Sequence, residues 1–160
     1  MRASRTTREA APITLLAMAR EMSREETRAF LLHGTRTAKV ATAFKDGQPH
    51  VMPVWFVLDG EEIVFTTGRE SVKGKHLRRD PRLSLVVDDE DPPYAFVHVR
   101  GTVTLGEDLD ELLRFATEIG RRYMGADRAE EFGRRNAVPE EILVRVRVER
   151  MITNGDVAGY

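Results

Sequence analysis

Apolar residues along this chain recur mainly at the period of a strand. From Tyr94 to Leu105, Val97, Val99, Val103 and Leu105 fall on one face and His98, Arg100, Thr102 and Thr104 on the other. From Ile142 to Ile152, Val144, Val146 and Val148 alternate with Arg145, Arg147 and Glu149. Lys39–Phe44, Ile63–Thr67 and Leu83–Val87 read as shorter strands. His50–Leu58 differs from these, because it is apolar at almost every position and needs cover on both faces. Its Pro53 has no amide donor, which predicts an edge strand or a bulge. Lys45-Asp46-Gly47-Gln48 and Asp59-Gly60 supply the turns on either side.

Helical spacing is confined to four stretches. Ser23 and Glu26 form a capping box ahead of Ala29, Phe30 and Leu31, and Gly34 closes that helix. A short helix starts near Val72, and Asp80-Pro81 ends it. Asp108–Tyr123 is amphipathic, Asp127–Arg135 forms a shorter helix, and Pro139 separates it from the last strand. Six mostly antiparallel strands with few inserted helices predict a mainly β chain. The expected architecture is a six-stranded antiparallel, closed or nearly closed β-barrel with peripheral helices. Residues 1–21 read as an N-terminal arm, 22–153 as the barrel domain and 154–160 as a tail. A twofold dimer would cover the doubly apolar Met52–Leu58 run.

Composition narrows the function classes. At 160 residues, 41% apolar and 32% charged, the chain matches one ordinary soluble domain. A net charge of −1 argues against a general nucleic-acid or membrane binder. With no cysteine there is neither disulfide nor thiolate chemistry, which is compatible with a cytoplasmic protein. No apolar run reaches the roughly 20 residues that span a bilayer.

The candidate chemistry gathers where the Ile63–Thr67 strand meets the short helix. Thr66, Thr67, Ser71, Lys73 and Lys75 converge there, with Ser71 as the expected cap. A helix N-terminus offers unpaired amides to an anion, and lysine adds a point charge suited to phosphate. This corner reads either as a phosphate cradle or as the solvated face of a basic helix. Neither a G-x-x-x-x-G-K-[ST] nor a G-x-G-x-x-G is present. The four histidines are dispersed without H-x-x-x-H or H-E-x-x-H spacing, so no metal site is expected. Asp88–Asp91 followed by two prolines reads as a solvated acidic loop. His98 and Arg100 face either a substrate or solvent, and Trp55 is either core or a stacking platform.

K-D-G-Q-P-H, V-M-P-V-W-F, V-F-T-T-G, S-V-K-G-K-H-L-R-R-D-P-R-L-S-L-V-V-D and V-R-G-T-V, in that order, resemble the flavin/deazaflavin split β-barrels. That family includes pyridoxamine 5′-phosphate oxidase and the coenzyme F420-dependent reductases. Arg122-Tyr123-Met124-Gly125 and Phe132 resemble the F420 branch. The resemblance implies a homodimer with cofactor at the subunit interface. Met52, Pro53, Val54 and Trp55 would lie along the tricyclic ring. Thr66, Thr67, Ser71 and Lys73 would hold the phosphate region, with Lys75 and His76 nearby. Members that bind flavin mononucleotide (FMN) often carry arginines where Val51 and Val72 stand here. F420 has a phosphodiester and a polyglutamate tail, which looser charge from Lys73, Lys75, Arg78 and Arg79 would suit. The resemblance thus implies an F420H2-dependent reductase of a conjugated small molecule. An FMN enzyme or a cofactor-binding protein without turnover are the alternatives.

Overall fold

A computed structural model describes residues 20–159. The arm expected over residues 1–21 therefore lies outside the described residues, apart from Arg20 and Glu21. The strands are β1 (Ala38–Ala43), β2 (Pro49–Val54), β3 (Val57–Asp59), β4 (Glu62–Gly68), β5 (Arg82–Asp88), β6 (Phe96–Gly106) and β7 (Glu141–Asn154). The helices are α1 (Arg24–Leu32), α2 (Val72–Arg79), α3 (Leu109–Met124) and α4 (Ala129–Asn136). All strand pairs are antiparallel, in the order β2-β1-β5-β6-β7-β4-β3.

The sheet has seven strands rather than the six expected. The His50–Leu58 run is not one strand: it breaks at Trp55-Phe56, with β2 pairing to β1 and β3 to β4. That break explains why the run is apolar throughout, because its two halves serve opposite ends of the sheet. It also closes the barrel. A flat seven-stranded sheet would hold its outermost strands about 29 Å apart, whereas the three peptide steps from Val54 to Val57 span at most about 11 Å. The sheet must curl until β2 and β3 lie close. Pro53 sits on the edge strand β2, where its missing donor breaks no ladder.

The barrel interior is filled from every strand. Val40, Phe56, Phe65, Leu85, Val99 and Val144 are almost wholly buried there. Each large apolar side chain so placed stabilises the fold by roughly 1.5–3 kcal/mol relative to exposure. A second, smaller cluster packs α3 on the outside of the barrel, through Leu112, Phe115 and Ile119 against Val64 and Leu143. The Ser23–Glu26 capping box forms reciprocally at 3.1 and 2.8 Å. At the β3–β4 hairpin Asp59 pairs with Glu62, so the two turn residues are Gly60 and Glu61, one place later than expected. Gly60 takes the positive φ of 60° that such a turn demands at its first position.

Candidate functional site

The barrel is split beside the strand-to-helix corner. Past Val57↔Val64 the β3–β4 ladder stops, while β4 continues to Gly68 with β7 on one side only. Strand β2 likewise has only β1 as a partner. Two strand edges thus diverge from Trp55-Phe56, and α2 spans from β4 to β1, the strand beside β2. On one side Thr67 Oγ1 lies 3.1 Å from Ser71 Oγ, tying the helix start to β4. On the other, Thr42 Oγ1 lies 2.9 Å from His76 Nδ1, tying the helix to β1. The helix also comes unusually close to the corner. A Cβ on Gly74 would overlap the carbonyl oxygens of Gly68 and Arg69, so only glycine fits there.

Ser71 caps α2, its hydroxyl accepting from the Gly74 amide at 3.0 Å. Lys73, in the first turn, is half-buried, and it has no ion pair within 4 Å among the described residues. Burial holds its ammonium below the ordinary lysine value, and the field of Glu141 partly offsets that. Glu141 pairs with Gly68 across the β4–β7 ladder, and its Oε1 lies 3.7 Å from where a Gly68 Cβ would stand. Burial raises this carboxyl above the usual range, again partly offset by Lys73. One ammonium and one carboxylate therefore face the same corner.

The remaining expected site residues spread over the two edges. Met52 is 44% exposed and Trp55 38%, Pro53 is exposed and Val54 is buried. Thr66 and Thr67 are not brought together, because neighbouring residues of a strand point to opposite faces. Thr67 points inward with Phe65, and Thr66 lies on the α3 side with Val64. Lys75 is exposed and pairs with Glu70 at 3.5 Å. Arg78 joins the same carboxylate at 2.8 Å, and Arg79 donates to the Ala43 carbonyl. Of the basic run, Lys73 alone lacks a close partner among the described residues, and it lies in the field of Glu141. His76 is buried between Phe44 and Thr42 with its pKa lowered, first by burial and then by Arg79 and His50. In the acidic loop Asp88 pairs with Lys39 at 2.6 Å, and Asp89 pairs with Arg36.

Trp55 is both wall and packing residue. Its ring stacks on Tyr123, with centroids 4.9 Å apart and planes 2° from parallel. Tyr123 is fixed in turn: its hydroxyl donates to the Arg36 carbonyl at 2.7 Å and accepts from the Phe56 amide at 3.2 Å. Arg122 ties the same junction, donating to the carbonyls of Leu31, Gly34 and Phe56. The Trp55-Phe56 break where the barrel opens is thus held by two neighbouring residues of α3. Glu141 and Gly74 carried no sequence signal as site residues: one acquires its place from a long-range register, the other from a close backbone approach.

A family profile for pyridoxamine 5′-phosphate oxidase matches residues 23–154. The chain belongs to that family, and its antiparallel barrel with peripheral helices is the family's split barrel. Among solved structures it is similar to a conserved hypothetical protein, Rv2991, from Mycobacterium tuberculosis. Identity is 29%, the match covers 88% of each chain, and the TM-score is 0.78. It is also similar to an F420 reductase at 27% identity, covering 78% of this chain and 94% of that one, with a TM-score of 0.62. A heme storage protein, HutZ from Vibrio cholerae, shares the fold at 17% identity, 83% and 95% coverage and a TM-score of 0.67. No curated protein sequence matches. No helix of the described residues is long and apolar enough to cross a membrane.

Proposed function

We propose that this chain is an F420H2-dependent oxidoreductase that holds its cofactor in the split between β2 and β4. The family and the F420 reductase neighbour support the class of chemistry, and the charge at the corner supports the choice of cofactor. The observation that carries the reading is the approach of the half-buried Lys73, which has no ion pair within 4 Å among the described residues, to Glu141 at one corner. A phosphomonoester such as that of FMN brings close to two negative charges at neutral pH. It would meet one ammonium and be repelled by one carboxylate. A phosphodiester brings a single charge that Lys73 alone can match. Val51 and Val72, 60% and 40% exposed, add no charge on either edge.

In this reading Lys73 and the first amides of α2 hold the phosphodiester. Ser71 keeps those amides in place. The backbone of Met52–Trp55 backs the flat ring, and Trp55, clamped by Tyr123, fixes where that edge begins. The reduced deazaflavin supplies the hydride for a conjugated small-molecule acceptor, and the protein positions the two and excludes water. A second copy of the chain would cover Val51, Met52 and Trp55, which makes the working unit a homodimer.

Titration of the purified protein with F420 and with FMN tests the proposal. F420 fluorescence should quench with a micromolar constant, and FMN should bind at least about tenfold more weakly, a difference of about 1.4 kcal/mol. FMN binding more tightly than F420 would sink it. Oxidation of F420H2 by candidate acceptors distinguishes a reductase from a cofactor carrier.

A further inference from the structure

A cleft of about 600 Å³ runs over the outer face of the barrel, and its charges are unbalanced. Ladder pairings put Val51, Ala41, Ser84, Arg100 and Arg150 in one row across β2, β1, β5, β6 and β7. Two arginines therefore face one another directly across β6 and β7. Like charges directly opposite each other destabilise a sheet. The carboxylates bordering the cleft are already committed. Asp80 holds Arg82 at 2.7 and 2.9 Å, and that pairing brings the Asp80 carboxyl down to about 2. Glu149 accepts from Thr102 at 3.0 Å and lies 3.6 Å from Arg147. Among the described residues neither Arg100 nor Arg150 has an acidic partner within 4 Å.

The backbone is adapted to this arrangement. Arg100 pairs with Arg150 but Gly101 pairs with Val148, so Glu149 is the extra residue of a β-bulge. Such bulges re-aim the side chains next to them. A Cβ on Gly101 would overlap the Arg147 carbonyl, so glycine is what lets the bulge close. The lining beside the arginines includes the small residues Ala41, Ala43, Ser84 and Gly101. Arg100 and Arg150 both line this open cleft, and the fork of a guanidinium matches a carboxylate.

We infer that this cleft is a carboxylate-binding site in which Arg100 and Arg150, set opposite each other by the bulge, clamp an anionic end of a small molecule. The inference goes beyond the cofactor reading and holds for the chain with no cofactor bound. Two sources could present this chemistry: a carboxylate of the acceptor, or the glutamate tail of F420.

Calorimetric titration of the cofactor-free protein with glutarate at low salt is the test. Wild type should bind saturably, Arg100→Gln/Arg150→Gln should bind at least tenfold more weakly, and Arg147→Gln should match wild type. No saturable binding by wild type, or equal binding by the double variant, overturns the inference. So does a double variant that changes only its oligomeric state, because the face would then be a subunit contact. F420 with and without its glutamates separates the sources. A loss in the double variant confined to the tailed form identifies the tail, and a loss seen with glutarate but with neither F420 form identifies the acceptor. A wild type that binds glutarate but no F420 would refute the cofactor proposal and leave the cleft standing.

Discussion

The two halves of β7 treat arginine in opposite ways. Near its start, Arg145 is held by Asp59, Glu62 and Glu111, which come from the hairpin, β4 and α3, and it lies over the Phe115 ring at 4.8 Å. Asp59 and Glu111 raise its pKa further above the ordinary arginine value. Further along the same strand, Arg150 faces Arg100, and among the described residues neither has an acidic partner within 4 Å. The difference separates two uses of charge. A cation that fastens three elements together is saturated by the fold, whereas one left unsaturated in a cleft is free to meet a ligand. Lys73 belongs with the second kind, and Lys75, Arg78 and Arg79 with the first.

The largest effect is expected at the saturated end. Arg145→Leu removes the cation and leaves three carboxylates crowded around an apolar side chain. With the arginine side chain only 20% exposed, the loss should be about 3 kcal/mol, the low end for breaking a buried pair. For a domain of this size that lowers Tm by roughly 6–12 °C. A Tm within about a degree of wild type would mean that the network is ornamental and would remove the contrast with Arg150. Gly74→Ala comes next. In an ordinary helix this change stabilises by about 1 kcal/mol. Here the new methyl meets backbone oxygens that cannot move aside, and a loss of about 2 kcal/mol is expected. A urea midpoint that rises would show that α2 stands further from the β4 corner.

Much of this architecture was legible in the chain. Ser23 and Ser71 announce their helices because capping is local chemistry. The strands of the barrel follow from alternation. The break at Trp55-Phe56 was not legible, because a run apolar on both faces looks the same whether it is one buried strand or two. Nor was the role of Glu141: it faces the corner only because β7 pairs with β4 in one register. The basic run at Lys73–Arg79 stayed open between a cradle and a solvated face, since sequence cannot show which cations Glu70 and the Ala43 carbonyl take up.

Two smaller effects sharpen the account of the open site. Glu141→Gln removes the opposing carboxylate, so anion binding should strengthen, more for FMN than for F420. A narrowing of the F420 preference by about tenfold is expected in paired titrations, and an unchanged ratio would mean that Glu141 sets no charge limit. The buried His76 contributes a pH dependence of stability. Its folded pKa lies below the unfolded value near 6.5, so the unfolded chain takes up the proton first. Its stabilisation is complete above that value and is lost as pH falls through the folded pKa. Melting between pH 7.5 and 5 should therefore show a declining Tm for wild type and a shallower slope for His76→Gln, while parallel slopes would contradict the assignment.

The smallest expected effect discriminates most finely, because it compares lysines two residues apart on one helix. Lys73 is half-buried and faces Glu141, whereas the Lys75 side chain is 58% exposed and leans on a Glu70 that Arg78 also holds. An exposed pair of that kind contributes at most about 1 kcal/mol, and the remaining partner keeps Glu70 satisfied. Lys75→Ala should therefore leave both Tm and F420 affinity within measurement error, while Lys73→Ala weakens F420 about tenfold with its fold intact. Equal losses for the two would mean that the cofactor's anionic region senses the whole basic face of α2 and not one ammonium in the split. A loss at Lys75 alone would move the anion to the solvent side of the helix, where Lys73 and Glu141 could not select its charge.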